Sequence, residues 1–255
     1  MTFSWKIYTK CAHGQKGEMT GNAPKGGLCT KDGAATMRGK GTEGMTVHKG
    51  TLRPWAVLLA GGRSSRMGVD KALLPVGNRP LIVHLTEQVR ALGWPCVIVL
   101  PPAGPPARIG RYQSLVPWAS FVFDAEAWRG PVMGIASGAA AVRSEWMALL
   151  SCDIPNLDTA LLAEMMEIAA TPSPDAPLAG IYVAGEPFHG LYRRESALRA
   201  ARKVLTKAGP RASARGWLDA LGPAQVLPAT RRSWVNLNTP RDYEEYMRRS
   251  GAQNP

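Results

Sequence analysis

The sequence predicts an α/β domain in which a mostly parallel sheet lies between two layers of helices. Three observations carry this prediction. Short apolar runs recur along the chain: Trp55-Ala-Val-Leu-Leu59, Cys96-Val-Ile-Val-Leu100, Ser120-Phe-Val-Phe123 and Trp146-Met-Ala-Leu-Leu150. Continuous apolarity suits strands that helices cover on both faces. Segments of helical period separate the runs at the spacing of strand–helix–strand units. The first run also opens directly into glycines, as strands do where an open parallel sheet binds ligands.

Taken in order, residues 1–50 stand apart. They hold 10 of the 27 glycines and no sustained apolar period. They read as a disordered or non-native N-terminal extension, with Met45 as a natural start and at most a short strand in the first seven residues. Residues 51–255 read as the folded domain. After the first strand, Ile82, Leu85, Val89 and Leu92 follow Pro80 at helical spacing, and Gly93 ends that helix. Pro101-Pro102 stops the second strand. Residues 134–143 are Ala-rich and helical. Leu157–Ala170 reads as a helix with Asn156 as its cap. Pro177–Val183 and Pro187–Tyr192 read as a strand pair around Ala184-Gly-Glu186. Helices are expected near Glu195–Lys207 and Ala214–Leu221, and a last strand at Ser233-Trp-Val-Asn236. Asn238 or Thr239 then caps a helix starting at Pro240, with Asp242, Glu244 and Glu245 near its positive end.

Composition excludes several function classes. The chain carries 31 Lys+Arg against 19 Asp+Glu, a formal net charge of +12. The excess divides as +5 over residues 1–50 and +7 over the rest, with no dense basic block. No nucleic-acid partner is therefore expected. No apolar stretch approaches the ~18 residues of a spanning helix, and no secretory leader stands at the N-terminus, so no membrane partner and a cytoplasmic location are expected. Four cysteines are too few for a disulfide scaffold, and Cys11, His13, Cys29 and His48 lack zinc-site spacing.

Chemistry concentrates in Leu59-Ala-Gly-Gly-Arg-Ser-Ser-Arg-Met-Gly-Val-Asp-Lys71. Gly61, Gly62 and Gly68 let backbone N–H groups approach phosphate oxygens, and Arg63, Arg66 and Lys71 add positive charge beside them. The spacing matches neither the ATPase phosphate loop nor the dinucleotide fingerprint. Asp153, just past the fourth run, is a natural Mg²⁺ anchor, since Mg²⁺ takes one or two carboxylates plus substrate phosphates; an Asx-turn or cap before Pro155 is the plain alternative. Asp124 ends the third run at the same edge and suits a metal, a ribose hydroxyl, the base, or simply a loop entry. Gly130-Pro-Val-Met-Gly134 would allow close ligand approach at a helix start. Asn236-Leu-Asn-Thr-Pro240 is explained by capping alone. His189 reads as a buried histidine and Cys152 as a small core residue.

Together these segments resemble the molybdenum cofactor guanylyltransferase family, within the nucleotidyltransferases that have a Rossmann-like sheet. The resemblance runs from about residue 55 to 249. It rests on Leu59–Lys71, Leu73-Leu-Pro75, Arg79-Pro-Leu-Ile82, Gly130–Gly134, Cys152-Asp-Ile-Pro155, His189-Gly-Leu-Tyr192 and Asn236–Pro240. It implies transfer of GMP from GTP to the terminal phosphate of molybdopterin, with release of pyrophosphate. It further implies nucleotide contacts from Leu59, Ala60, Gly61, Gly62, Lys71, Asp124 and Asp153, a Mg²⁺ ion on Asp153, and catalytic roles for Arg66, Lys71 and Asp153. Molybdoenzymes or their chaperones would receive the product. One position departs from the pattern: a nucleotide-contacting Asn that members can carry after the second strand corresponds here to Leu100. Cytidylyl transfer, sugar-phosphate activation and non-catalytic nucleotide delivery are the alternative readings.

Overall fold

The structure is a computed structural model that describes residues 6–10, 16–20, 53–61, 70–101, 106–124, 130–171, 177–229 and 235–251. The strands are β1 (Lys6–Lys10), β2 (Lys16–Thr20), β3 (Trp55–Leu59), β4 (Pro75–Val76), β5 (Arg79–Pro80), β6 (Cys96–Leu100), β7 (Ser120–Phe123), β8 (Trp146–Ser151), β9 (Gly180–Val183), β10 (Glu186–Arg193) and β11 (Ala224–Leu227). The α-helices are α1 (Leu81–Ala91), α2 (Pro106–Leu115), α3 (Gly130–Ala141), α4 (Thr159–Ala170), α5 (Arg194–Ala208), α6 (Ala214–Leu221) and α7 (Pro240–Ser250).

Nine strands form one sheet in the order β11-β9-β10-β8-β3-β6-β7-β1-β2, and β4 pairs with β5 in a separate two-stranded ribbon. The central strands β8, β3, β6 and β7 run parallel, while β10 and β1 run against the others. Period-two alternation then sorts β3 between two cores. Ala56, Leu58 and Ala60 join the cluster that contains Leu85 of α1, Tyr112 of α2, Leu162 of α4 and Tyr246 of α7. Val57 and Leu59 join the cluster that contains Ile135 of α3, Ala201 of α5 and Trp217 of α6. The three expected layers are therefore present.

Four differences from the sequence expectation have physical reasons. Two strands, β1 and β2, lie inside the segment read as an extension, with β1 pairing antiparallel to the edge of β7 through Ile7–Val122 and Tyr8–Phe121. Helix α4 starts at Thr159, because Asp158, not Asn156, accepts the capping bond from Leu161 N–H at 2.9 Å. Residues 233 and 234 of the expected last strand lie outside the described residues, and Val235 and Asn236 join no strand. This segment is instead held where Leu237 N–H donates to the Asp153 carbonyl at 2.7 Å. The actual last strand is β11, parallel to β9, whose half-exposed Val226 gives it no apolar alternation to read.

Candidate active site

Each parallel strand delivers its carboxyl end to one edge of the sheet, so the residues that follow β3, β6, β7 and β8 meet there. Leu59 and Ala60 are buried at the end of β3, and Gly61 is exposed just beyond. A Cβ on Gly61 would stand 3.4 Å from the Pro101 ring, so this glycine lets the two strand exits run side by side. Gly62, Arg63, Arg66 and Gly68 lie outside the described residues. The chain is described again at Asp70, where the carboxylate accepts a 2.7 Å hydrogen bond from the buried Tyr112 hydroxyl of α2. Asp70 precedes the short 3₁₀ turn Lys71–Leu73, so this bond anchors the base of Lys71.

Lys71 reaches across the site: its Nζ donates to Asn238 Oδ1 at 3.1 Å, a contact between residues 167 positions apart. Asn238 is held in turn, its N–H donating to Asp242 Oδ2 at 3.0 Å. Thr239 and Asp242 form a reciprocal capping box at the start of α7, which sets the position of this whole segment. Thr239, one of the two expected caps, is thus the residue that performs this role.

Asp153 lies in the turn after β8, tied to its surroundings through backbone and neighbours. Cys152 N–H donates to the Leu59 carbonyl at 3.1 Å, and Leu237 N–H to the Asp153 carbonyl. Two residues further on, Gln88 of α1 grips the turn from both sides. Its Nε2 donates to the Pro155 carbonyl and its Oε1 accepts from Leu157 N–H, each at 2.9 Å. Tyr246 of α7 donates to Asn156 Oδ1 at 3.2 Å. Asp158, not Asp153, caps α4. Burial pushes the Cys152 thiol up to about 12, with the negative charge of Asp153 adding and the positive charge of Lys71 opposing; this thiol is a core group and no nucleophile.

Asp124 follows β7 with its backbone N–H on the Leu100 carbonyl. Burial raises its carboxyl to about 7, only partly offset by a hydrogen bond from the Ser137 hydroxyl of α3. Its Oδ1 is buried and has no partner among the described residues. Gly134 allows this arrangement: a Cβ there would stand 3.1 Å from Leu59 Cδ2 and 3.8 Å from Asp124 Oδ1. His189 is fully buried on β10, opposite Leu150 of β8.

One site residue was not legible as such. Glu186, read only as part of the β9–β10 connection, is half-buried beside Asn236 and Asp153. Burial raises its carboxyl, a hydrogen bond from the Asn236 side chain draws it back, and the Asp153 charge raises it further. Among the described residues no group of three or more His, Cys, Asp or Glu is placed to hold a metal. Asp153, with the Glu186 carboxylate beside it, is a donor set of the kind that Mg²⁺ takes together with phosphate oxygens and water. No described helix is long and apolar enough to cross a membrane.

Comparison with known proteins gives this edge a family. The model of the MobA-like NTP transferase domain matches residues 56–224. A probable molybdenum cofactor guanylyltransferase from Nostoc sp. is 34% identical over 190 residues, covering 73% of this chain and 87% of that protein. A molybdenum cofactor guanylyltransferase from Pseudomonas fluorescens is 33% identical over 198 residues, covering 77% and 94%. Among solved structures, molybdopterin-guanine dinucleotide biosynthesis protein A from Archaeoglobus fulgidus superposes with a TM-score of 0.62 at 16% identity, covering 78% of this chain and 99% of that one, a likeness of fold. With the family model matching more than half of the chain and relatives at 33–34% identity over most of it, the chain belongs to the MobA-like NTP transferase family and is a nucleotidyltransferase.

Proposed function

We propose that the protein transfers GMP from GTP to the terminal phosphate of molybdopterin, within molybdenum cofactor biosynthesis. The observation that carries this reading is the meeting of Lys71, Asp153 and the Leu59–Gly61 backbone at one sheet edge, in a chain whose relatives are named guanylyltransferases. A phosphate oxygen of the acceptor attacks the α-phosphorus of GTP in line. The bond from that phosphorus to the bridging oxygen breaks, and pyrophosphate leaves with its electron pair. The attacking oxygen is already anionic, so the transfer needs no dedicated base; the chain positions the reactants and neutralises charge.

In this scheme the backbone of Leu59, Ala60, Gly61 and Gly62 receives the nucleotide. Lys71 and Arg66 face the phosphates as fixed cations. The unpartnered Oδ1 of Asp124 accepts from the nucleoside. Asp153 would hold Mg²⁺ beside the substrate phosphates. When bound, Mg²⁺ neutralises charge on the phosphate oxygens. Molybdoenzymes or their chaperones in the cytoplasm receive the product.

The test is pyrophosphate release with GTP, CTP, ATP and UTP, with and without molybdopterin. Turnover is expected with GTP and only when molybdopterin is present. Asp153→Ala should abolish it, and Lys71→Ala should cost at least ~10²-fold, as loss of one charge-stabilising donor does. Near-normal turnover in either variant refutes its role. Faster turnover with CTP would instead support cytidylyl transfer.

A further inference from the structure

Folding gathers the basic excess of the domain on one side. Residues 194–221, which form α5, the turn after it and α6, hold seven Lys and Arg against two Asp and Glu, and so supply five of the seven net positive charges of residues 51–255. On α5, Arg199, Arg202, Lys203 and Lys207 stand three, one and four residues apart and share one exposed face. Ala197, Ala201 and Leu205 lie on the opposite face, buried in the core that α5 shares with α3 and α6. Arg211 and Arg215 carry the exposed charge on through the turn and into α6. Arg79, Arg193, Arg194 and Arg249 are each paired with a glutamate, whereas none of these six forms an ion pair among the described residues.

Local helix energetics does not call for this pattern. Like charges three and four residues apart repel, and Arg199–Lys203 and Lys203–Lys207 are such pairs. Lys207 sits in the last turn of α5, where the helix dipole favours a cation, but Arg215 sits in the first turn of α6, where the dipole opposes one. The stripe also has a direction. Helix α5 begins at the amino edge of the parallel strands, where Arg194 N–H donates to the Glu145 carbonyl just before β8. It runs back toward the other edge. A Cβ on Gly130, the first residue of α3, would stand 3.3 Å from the Ala212 carbonyl oxygen, and α3 follows the carboxyl end of β7. Lys207, Arg211 and Arg215 therefore lie toward the edge that holds Lys71 and Asp153.

We propose that the outer face of α5 and α6 is a docking surface for an acidic protein, which it brings to the rim of the nucleotide site. A single exposed ion pair contributes little, so a convex helix face needs a partner that meets many of its charges at once. Arg199 and Lys207 stand ~12 Å apart along the helix axis, a span suited to a folded surface that carries several Asp and Glu. Among the described residues the exposed large apolar side chain is Val226 of β11, outside α5 and α6, so this face offers a membrane no apolar anchor. Trp217 of α6 is fully buried, so the face offers nucleic-acid bases no stacking platform either. The proposal does not depend on which nucleotide or acceptor the site takes.

Fluorescence anisotropy of labelled poly-L-glutamate of about 20 residues, titrated with the full chain at about 0.05 M and about 0.15 M salt, tests it. Binding is expected, and weaker at the higher salt. Arg199→Glu, Lys203→Glu and Lys207→Glu together should weaken it at least ~tenfold. Arg53→Glu, Arg111→Glu and Arg143→Glu together, exposed cations elsewhere, should leave it within about threefold. Carbodiimide joins lysine amines to carboxylates; mapped by mass spectrometry, the joined residues should be Lys203 and Lys207, the sole lysines after Lys71. Pyrophosphate release should be the same in the reversed variant as in the wild type. Should that variant fail to fold on thermal melting, Arg199→Gln, Lys203→Gln and Lys207→Gln carry the same test with a smaller fall in affinity. Five results overturn the proposal: no binding, equal binding by wild type and variant, joining confined to residues 1–71, tighter binding of duplex DNA or phosphatidylserine vesicles than of poly-glutamate, or loss of pyrophosphate release in the reversed variant. The last would give the stripe to the small anionic substrates. A wild type that joins poly-glutamate at Lys203 and Lys207 yet releases no pyrophosphate refutes the functional reading and supports the docking surface.

Discussion

Replacing Asp124 with Asn should separate stability from nucleotide binding. The carboxyl ionises at about 3.8 when unperturbed and at about 7 in the folded protein, where burial opposes the charge. Between those values the folded protein keeps a proton that the unfolded chain has released. The resulting stabilisation is complete below about pH 4 and is lost as pH rises through about 7. With a limiting slope of about 1.4 kcal/mol per pH unit, the loss across that window is at most about 4 kcal/mol. Asparagine carries no charge at any of these pH values and keeps a group able to meet Ser137. Asp124→Asn should therefore match the wild type near pH 4 and exceed it progressively up to pH 8. Urea unfolding at pH 4, 6 and 8 measures the difference, with titration of GTP alongside. The variant should bind GTP more weakly at pH 8 although its fold is more stable there, since the nucleoside loses an ionised acceptor. Parallel pH dependence of stability in the two proteins would refute the reasoning.

Other substitutions probe the frame around the site. A Cβ at Gly138 would stand 2.3 Å from Val57 Cγ1, so Gly138→Ala should cost about 1–3 kcal/mol despite its better helix propensity, and Val57→Ala in the same chain should return part of it on thermal melting. Gln88→Ala removes both bonds to the turn that carries Asp153; kcat should fall about tenfold and the Mg²⁺ concentration for half-maximal rate should rise, while a rate unchanged at low Mg²⁺ would remove Gln88 from the account. Thr239→Ala breaks the capping box of α7 and should cost about 1 kcal/mol in urea unfolding. Tyr112→Phe removes the hydroxyl that bonds Asp70 and should weaken GTP binding through Lys71, measured by calorimetry.

Much of the fold was legible because four strands are buried on both faces and so leave uninterrupted apolar runs. The same runs made Asp124 and Asp153 readable, since each carboxylate follows directly on an apolar strand end. Glu186 had no such marker. Its place beside Asp153 comes from the antiparallel register of β10 with β8, which a short span of sequence does not display. Gln88 was hidden for a related reason: it occupies a polar position on an amphipathic helix, and its partners lie 67 and 69 residues away. Strand β11 escaped because four residues at a sheet edge, with Gln225 and Val226 exposed, carry neither alternation nor a buried run. Asn156 was misread as a cap since Asn and Asp serve equally well there; only the backbone geometry selects Asp158.

The bond from Lys71 to Asn238, with Tyr243 donating to the Pro75 carbonyl at 2.5 Å and Tyr246 gripping Asn156, joins the first part of the domain to its last helix. A ribosome makes these partners at opposite ends of its work. The sheet from β3 through β10 can assemble on the emerging chain, yet Lys71 has no Asn238 to lean on until the final stretch is free. Competence for transfer thus arrives late in synthesis, and a nascent chain arrested before residue 235 would own its nucleotide edge without the clasp that closes it.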